Sequence, residues 1–228
     1  MGWFSALKQR MRRQRLARFT PEQVFDTYYK SNKWGDAESR SGKGSNLRAT
    51  EALRPQLESL FRELKIDSVV DVPCGDFFWM AHVDLDGIDY VGGDIVPALI
   101  EANRKAHARG GVSFEVVDLI EGPVPKADLV FCRDCLVHLS NEHIARAVEN
   151  IRASGATWLL TTTFPDADQN RDIVTGEWRQ IDLTRPPFNL PAPARMIAEG
   201  AEAEKGQGKG KMLGLWRIAD LPQSGRGQ

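Results

Sequence analysis

The chain has 228 residues, 42% of them hydrophobic and 27% charged, which excludes a disordered chain and makes one domain the expectation. The net charge is −1, but residues 1–20 hold six basic residues and no acid, leaving 24 basic and 31 acidic residues, or −7, in the remainder. A body this acidic excludes a general nucleic-acid binder, because phosphate affinity needs a positive footprint.

No apolar run approaches the roughly 18 residues of a membrane span. The N-terminus lacks the apolar core of a signal peptide. Ala6 breaks the myristoylation pattern that Met1-Gly2 would open. A cytoplasmic protein is expected. Cys74, Cys132 and Cys135 are too few for a disulfide scaffold. Cys132 and Cys135 have C-x-x-C spacing, but no second pair completes a zinc ribbon and no metal is expected. Buried reduced thiols are favoured over redox or metal chemistry.

Residues 3–19 read as a basic helix with Trp3, Phe4, Leu7 and Met11 near one face. It is either a membrane-surface or partner-binding arm, or a solvated extension that orders only in part. The short apolar face favours the extension. Thr20-Pro21-Glu22 reads as a helix start, with an N-cap, Pro at the first position and an acid in the first turn. After the turn-rich Ser41-Gly42-Lys43-Gly44-Ser45, a helix entered at Asn46 or Thr50 should reach Leu64, with Pro55 near its start.

From Ile66 onward strands alternate with helices. Strands are expected over 67–72, 88–94, 112–118, 128–132 and 157–163, and helical segments over 77–83, 97–108 and 141–153. Such alternation implies an α/β, Rossmann-like, mostly parallel seven-stranded sheet with helices on both faces. Residues 165–193 hold five of the twelve prolines and no clear helix, the mark of a functional loop. Residues 194–199 and 211–218 should form a closing antiparallel pair. The linker between them is expected to be mobile. The expected organisation is an arm (1–20), one domain (21–222) and a disordered tail (223–228). Within the domain these are a helical cap (21–65), a cofactor-binding core (66–164) and a substrate loop with closing strands (165–222).

Ligands of open α/β sheets bind at the carboxyl ends of the strands. Three successive strands end in acids here: Asp71, then Asp94 twenty-three residues on, then Asp118. A carboxylate after the second strand suits vicinal ribose hydroxyls, and Gly92-Gly93 would let a ligand approach. Asp118 is placed for an adenine amino group. Asp71 either caps its turn or binds the amino end of a cofactor.

Asp71-Val72-Pro73-Cys74-Gly75-Asp76-Phe77 resembles the first motif of class I S-adenosylmethionine-dependent methyltransferases. It keeps the leading acid and the middle glycine and replaces the outer two glycines. With Trp79-Met80, Ser41-Gly42-Lys43-Gly44-Ser45, Cys132-Arg133-Asp134-Cys135-Leu136-Val137-His138-Leu139 and Gly176-Glu177-Trp178-Arg179, it is similar to one bacterial subgroup of these enzymes. The resemblance implies S-adenosylmethionine as cofactor. Its neighbours would be Asp71, Pro73, Cys74, Gly75, Asp76 and Trp79 after the first strand. Asp94 and Ile95 would follow after the second, Asp118 and Leu119 after the third, and Arg133 after the fourth. Phe77 and Phe78 suit packing better than stacking.

Asp76 beside Gly75 would repel a pyrophosphate and suit a sulfonium, which favours S-adenosylmethionine over NAD. His138 stands where the acceptor approaches. It is either a proton acceptor or a buried imidazole satisfied by a carbonyl, and Asp134 would orient either the acceptor or His138 itself. Arg171, Trp178 and Arg179 are the expected substrate contacts, unless the arginines pair with surface acids. The acceptor is expected to be a hydroxylated small molecule or glycan. The alternatives are a non-catalytic S-adenosylmethionine-binding module and an NAD-dependent oxidoreductase.

Overall fold

A computed structural model describes residues 3–200 and 206–222. Five residues of the expected mobile linker, 201–205, and the expected tail, 223–228, lie outside the described residues.

Helix α1, Trp3–Leu16, precedes helix α2, Pro21–Lys30. The start of α2 is a capping box: the Gln23 amide donates to Thr20 Oγ1 at 3.3 Å, and the Thr20 amide donates to Gln23 Oε1 at 3.0 Å. Such a cap is worth about 1 kcal/mol. Helix α3 spans Leu53–Leu64 and so begins later than Asn46 or Thr50. Pro55 lacks an N–H and fits only the first turn, where no intrahelical partner is needed.

The core alternates β1 (Ser68–Asp71), β2 (Asp89–Asp94), α4 (Pro97–His107), β3 (Val112–Val116), β4 (Leu129–Cys132), α5 (Asn141–Ala153) and β5 (Trp158–Thr163). Strands β6 (Arg195–Ala198) and β7 (Met212–Arg217) close it. The seven strands lie in the order β3-β2-β1-β4-β5-β7-β6. The sheet is mixed. The strands from β3 to β5 pair in parallel, whereas β7 runs antiparallel to both β5 and β6. Antiparallel neighbours such as β6 and β7 need no helical crossover between them.

Apolar clusters cover both faces. Leu57, Leu60 and Phe61 of α3 and Ile100 of α4 pack on one side. Ile144, Ala147 and Ile151 of α5 pack on the other, with Ile181 and Leu183 of the long loop.

Only Met80–His82 is helical between β1 and β2, as one 3-10 turn, where a helical segment over 77–83 was expected. Phe77 adopts a left-handed φ of 57° and is fully buried against Tyr90 and Phe114, with ring centroids 5.2 and 5.1 Å away. Phe77 therefore plugs the core from a left-handed backbone position that a right-handed helix does not include.

The glycine pair of β2 also answers to packing. A Cβ on Gly92 would meet the Phe114 ring at 2.6 Å and Cys74 Sγ at 3.1 Å, and one on Gly93 would meet Val117 at 2.9 Å. Protein side chains fill the space expected to admit a ligand. Gly92→Ala should cost about 1–3 kcal/mol by overpacking, read as a lowered urea midpoint at constant slope.

Candidate functional site

A cleft of about 1280 Å³ opens at the carboxyl ends of the central strands. Single-ligand pockets run to about 300–1,000 Å³, so a second molecule has room here. Asp71, Asp94 and Asp118 all line it, as do Pro73, Cys74, Gly75, Trp79, Ile95, Leu119 and Arg133. The parallel register aligns Asp71 with Gly92 and Asp94 with Val116, so the ends of β1, β2 and β3 rise side by side.

Asp94 is buried, and Oδ1 accepts from the Val96 amide at 3.0 Å. Burial raises its pKa to about 6, although the amides of Val96, Gly75 and Ile95 oppose this. Asp71 Oδ2 accepts from the Tyr90 hydroxyl at 2.6 Å. Burial raises Asp71 to about 7 despite that bond and the charge of Arg133. Two buried acids in one cleft favour a ligand that brings hydroxyl donors or positive charge. Asp118 Oδ1 caps the Ile120 and Glu121 amides at 2.8 and 3.2 Å, holding the β3 turn in place.

Asp76 does not line the cleft, contrary to expectation. Its carboxylate accepts from the Arg40 amide at 2.7 Å and from the hydroxyls of Ser39 and Ser41 at 3.0 and 3.2 Å. It tethers the segment carrying Ser41–Ser45, and the electrostatic case against a pyrophosphate passes to Asp71 and Asp94. The other end of that segment is held by Arg133, whose Nη2 donates to the Gly44 carbonyl at 2.8 Å. Asp76→Ala should free residues 39–41, costing about 1–3 kcal/mol for the unpaired donors. Limited proteolysis should then cut within residues 39–45 at rates the parent resists.

Arg133 stacks over Trp79 at 5.3 Å and pairs with Glu199 at 2.5 Å. Burial opposes its charge, but Glu199 and Asp134 hold its pKa above the ordinary guanidinium value. Lys211 Nζ lies 2.6 Å from Asp134 Oδ2 and 3.3 Å from Glu199 Oε1. Although burial acts the other way, the charges of Lys211 and Arg133 hold the Asp134 carboxyl well below the usual range. Asp134 is thus a carboxylate ion-paired with Lys211 and Arg133. Glu199, Lys211 and Trp34 carried no motif and escaped sequence reasoning. Strand pairing across β6 and β7 brings the first two to the site.

His138 lines the cleft, half-buried, its ring 6.0 Å from that of Trp34. Its Nδ1 lies 2.9 Å from the Glu177 carbonyl oxygen. A carbonyl only accepts, so Nδ1 carries the proton and Nε2 keeps a lone pair. Burial pushes the imidazole pKa below its ordinary value. The two readings open from the sequence are therefore compatible: the carbonyl bond that satisfies the ring also leaves Nε2 as an acceptor.

Arg171 and Trp178 line the cleft, and Trp178 packs edge-on against Phe164 at 6.1 Å. Arg179 does not. Its guanidinium is buried and donates to the Leu136 carbonyl at 2.8 Å and to Asn141 Oδ1 at 3.0 Å, fastening the long loop to the segment before α5 and to the start of α5 itself. Burial lowers its pKa to about 10.

Helix α1 is docked rather than a loose extension. Arg13 Nε donates to Glu177 Oε2 at 2.9 Å, and Lys8, Arg12 and Arg13 line the cleft. Among the described residues no helix is long and apolar enough to cross a membrane.

Residues 69–154 match a family model described as a methyltransferase domain. No curated protein sequence matches the chain. Solved structures are similar in fold. The DhpI–SAH complex has a TM-score of 0.57 at 16% identity, covering 89% of this chain and 98% of that one. Magnesium protoporphyrin IX methyltransferase from Synechocystis PCC 6803 with bound SAM has a TM-score of 0.56 at 14% identity, covering 86% and 96%. Human N-acetylserotonin methyltransferase in complex with SAM has a TM-score of 0.50 at 14% identity, covering 83% of this chain. The chain spans 61% of that human protein's length. The fold is that of these methyltransferase structures, and the match to the methyltransferase-domain model falls on the core from β1 to the end of α5.

Proposed function

We propose that the protein is an S-adenosylmethionine-dependent methyltransferase acting on a hydroxylated small-molecule or glycan acceptor. One observation carries this reading: Asp71, Asp94 and Asp118, from the ends of three adjacent parallel strands, line a single cleft. Asp94 would accept from the ribose hydroxyls and Asp118 would hold the adenine side. Asp71 and the Pro73–Gly75 turn would hold the amino-acid end. A pyrophosphate would meet Asp71 and Asp94 at close range, which disfavours a dinucleotide.

Held by Asp94, Asp118, Asp71 and the Pro73–Gly75 turn, the cofactor would supply a methyl group already activated on a positive sulfonium. The chain's part is alignment, exclusion of water and removal of one proton. His138 Nε2 takes that proton from the acceptor hydroxyl. Asp134, held ionised by Lys211, stabilises the imidazolium that forms, since opposite charges favour the charged state.

Calorimetric titration with S-adenosylhomocysteine tests the reading. Saturable binding below millimolar concentration is expected, and none at millimolar ligand overturns it. Ionised Asp71 and Asp94 suit the ligand, so binding near pH 6 should release protons. The apparent enthalpy should then vary with the ionisation enthalpy of the buffer.

A further inference from the structure

Both signs of charge line the cleft. The acids at the strand ends, Asp71, Asp94 and Asp118, belong to the proposed cofactor half. In the other half, Asp134 is neutralised by Lys211 and Glu177 by Arg13. Among the cations that line the cleft are Lys8 and Arg12 of α1, Lys33 beside Trp34, and Arg171 of the long loop. All four are exposed, and none makes an ion pair among the described residues. They come from three separate segments of a chain whose body is acidic, and folding brings all four to the lining of one cleft.

We propose that α1 is the acceptor-binding wall, and that the acceptor carries an anionic group, phosphate or carboxylate, which docks against Lys8, Arg12 and Arg171 with Lys33 beside them. This rests on the methyltransferase reading of the same cleft. Like charges brought together repel, and an anion at their centre relieves the repulsion and is steered in by the field. Trp34, whose ring lies 6.0 Å from that of His138, and Trp178 line the same cleft and supply flat apolar surface suited to the carbon skeleton of the same molecule. The Arg13–Glu177 pair fixes the register of α1 so that Arg12 and Lys8, one turn apart, face the cleft. Arg13 contributes by docking the helix and Arg12 by contact.

The test uses glucose 6-phosphate, glucuronate and uncharged glucose as probes. Each is titrated into the full chain, with and without saturating S-adenosylhomocysteine, and read by tryptophan fluorescence. Both anionic sugars should bind below about 10 mM and glucose should not. The tighter of the two identifies the anion. Raising the salt to about 0.5 M should weaken the binding, because exposed charges are screened. The variant K8Q/R12Q/R171Q should bind the anions at least about tenfold more weakly, with S-adenosylhomocysteine affinity within about twofold of the parent. Equal binding of glucose, no anion binding, or anion affinity unchanged in the variant would overturn the proposal. Failure of S-adenosylhomocysteine to bind while the anions still bind, and are lost in the variant, would remove the methyltransferase reading and leave the anion wall standing.

Discussion

Replacing His138 with alanine should lower turnover about 10²–10⁴-fold while S-adenosylhomocysteine affinity stays nearly unchanged. The expectation follows from the tautomer. With its proton held on Nδ1 by the Glu177 carbonyl, the ring has a single free lone pair, on Nε2. Burial keeps the imidazole neutral to lower pH than usual, so the base is ready at pH 7. The sign of the pH effect follows. Turnover at saturating cofactor should fall on acidification, with a midpoint below about 6.5, as the imidazole takes a proton from solvent. The alanine variant should lack that limb. Gln should rescue little, because it can orient an acceptor but cannot carry its proton away. A variant that folds, binds S-adenosylhomocysteine and turns over within about threefold of the parent would make the imidazole structural, with alignment of an activated donor sufficient for transfer.

Asp94→Ala should weaken S-adenosylhomocysteine binding by about 1–3 kcal/mol, the range for hydrogen bonds to a charged group. Calorimetry at pH 8 reads this most cleanly, because the parent carboxylate is then ionised. At lower pH the parent itself should bind more weakly, since its pKa of about 6 means the acceptor form is lost as pH falls through that value. Stability should move the opposite way. The folded carboxyl has a raised pKa, so between about pH 4 and pH 6 the folded state binds more protons than the unfolded chain. Stability from this group therefore declines as pH rises through that window. Asp94→Asn cannot ionise and should unfold at a higher temperature than the ligand-free parent at pH 7, while binding S-adenosylhomocysteine more weakly. Equal melting temperatures at pH 7 would show that burial of the carboxyl carries no such cost.

Local patterns made much of the core legible. Periodicity placed α4, α5 and the strands to within a few residues, because each buries a face whose spacing is written in neighbouring positions. The acids after β1, β2 and β3 were legible for the same reason: in a parallel sheet the end of each strand is a fixed place. Thr20-Pro21-Glu22 announced α2 because a cap uses side chains within one turn.

Tertiary structure alone decided how the polar side chains were spent. Asp76 and Arg179 have the chemistry of ligand contacts, yet partners 35 and 43 positions away claim them for holding loops. Gly92 and Gly93 read as an opening for a ligand and are filled by Phe114 and Val117. The antiparallel β7 brings Lys211 beside Asp134, 77 positions earlier in the chain, and Arg13 reaches Glu177 across 164. A sequence records which groups can donate, accept or carry charge. It does not record which of them meet, because buried polar groups must be paired and the nearest partner is set by how strands and loops pack, not by distance along the chain.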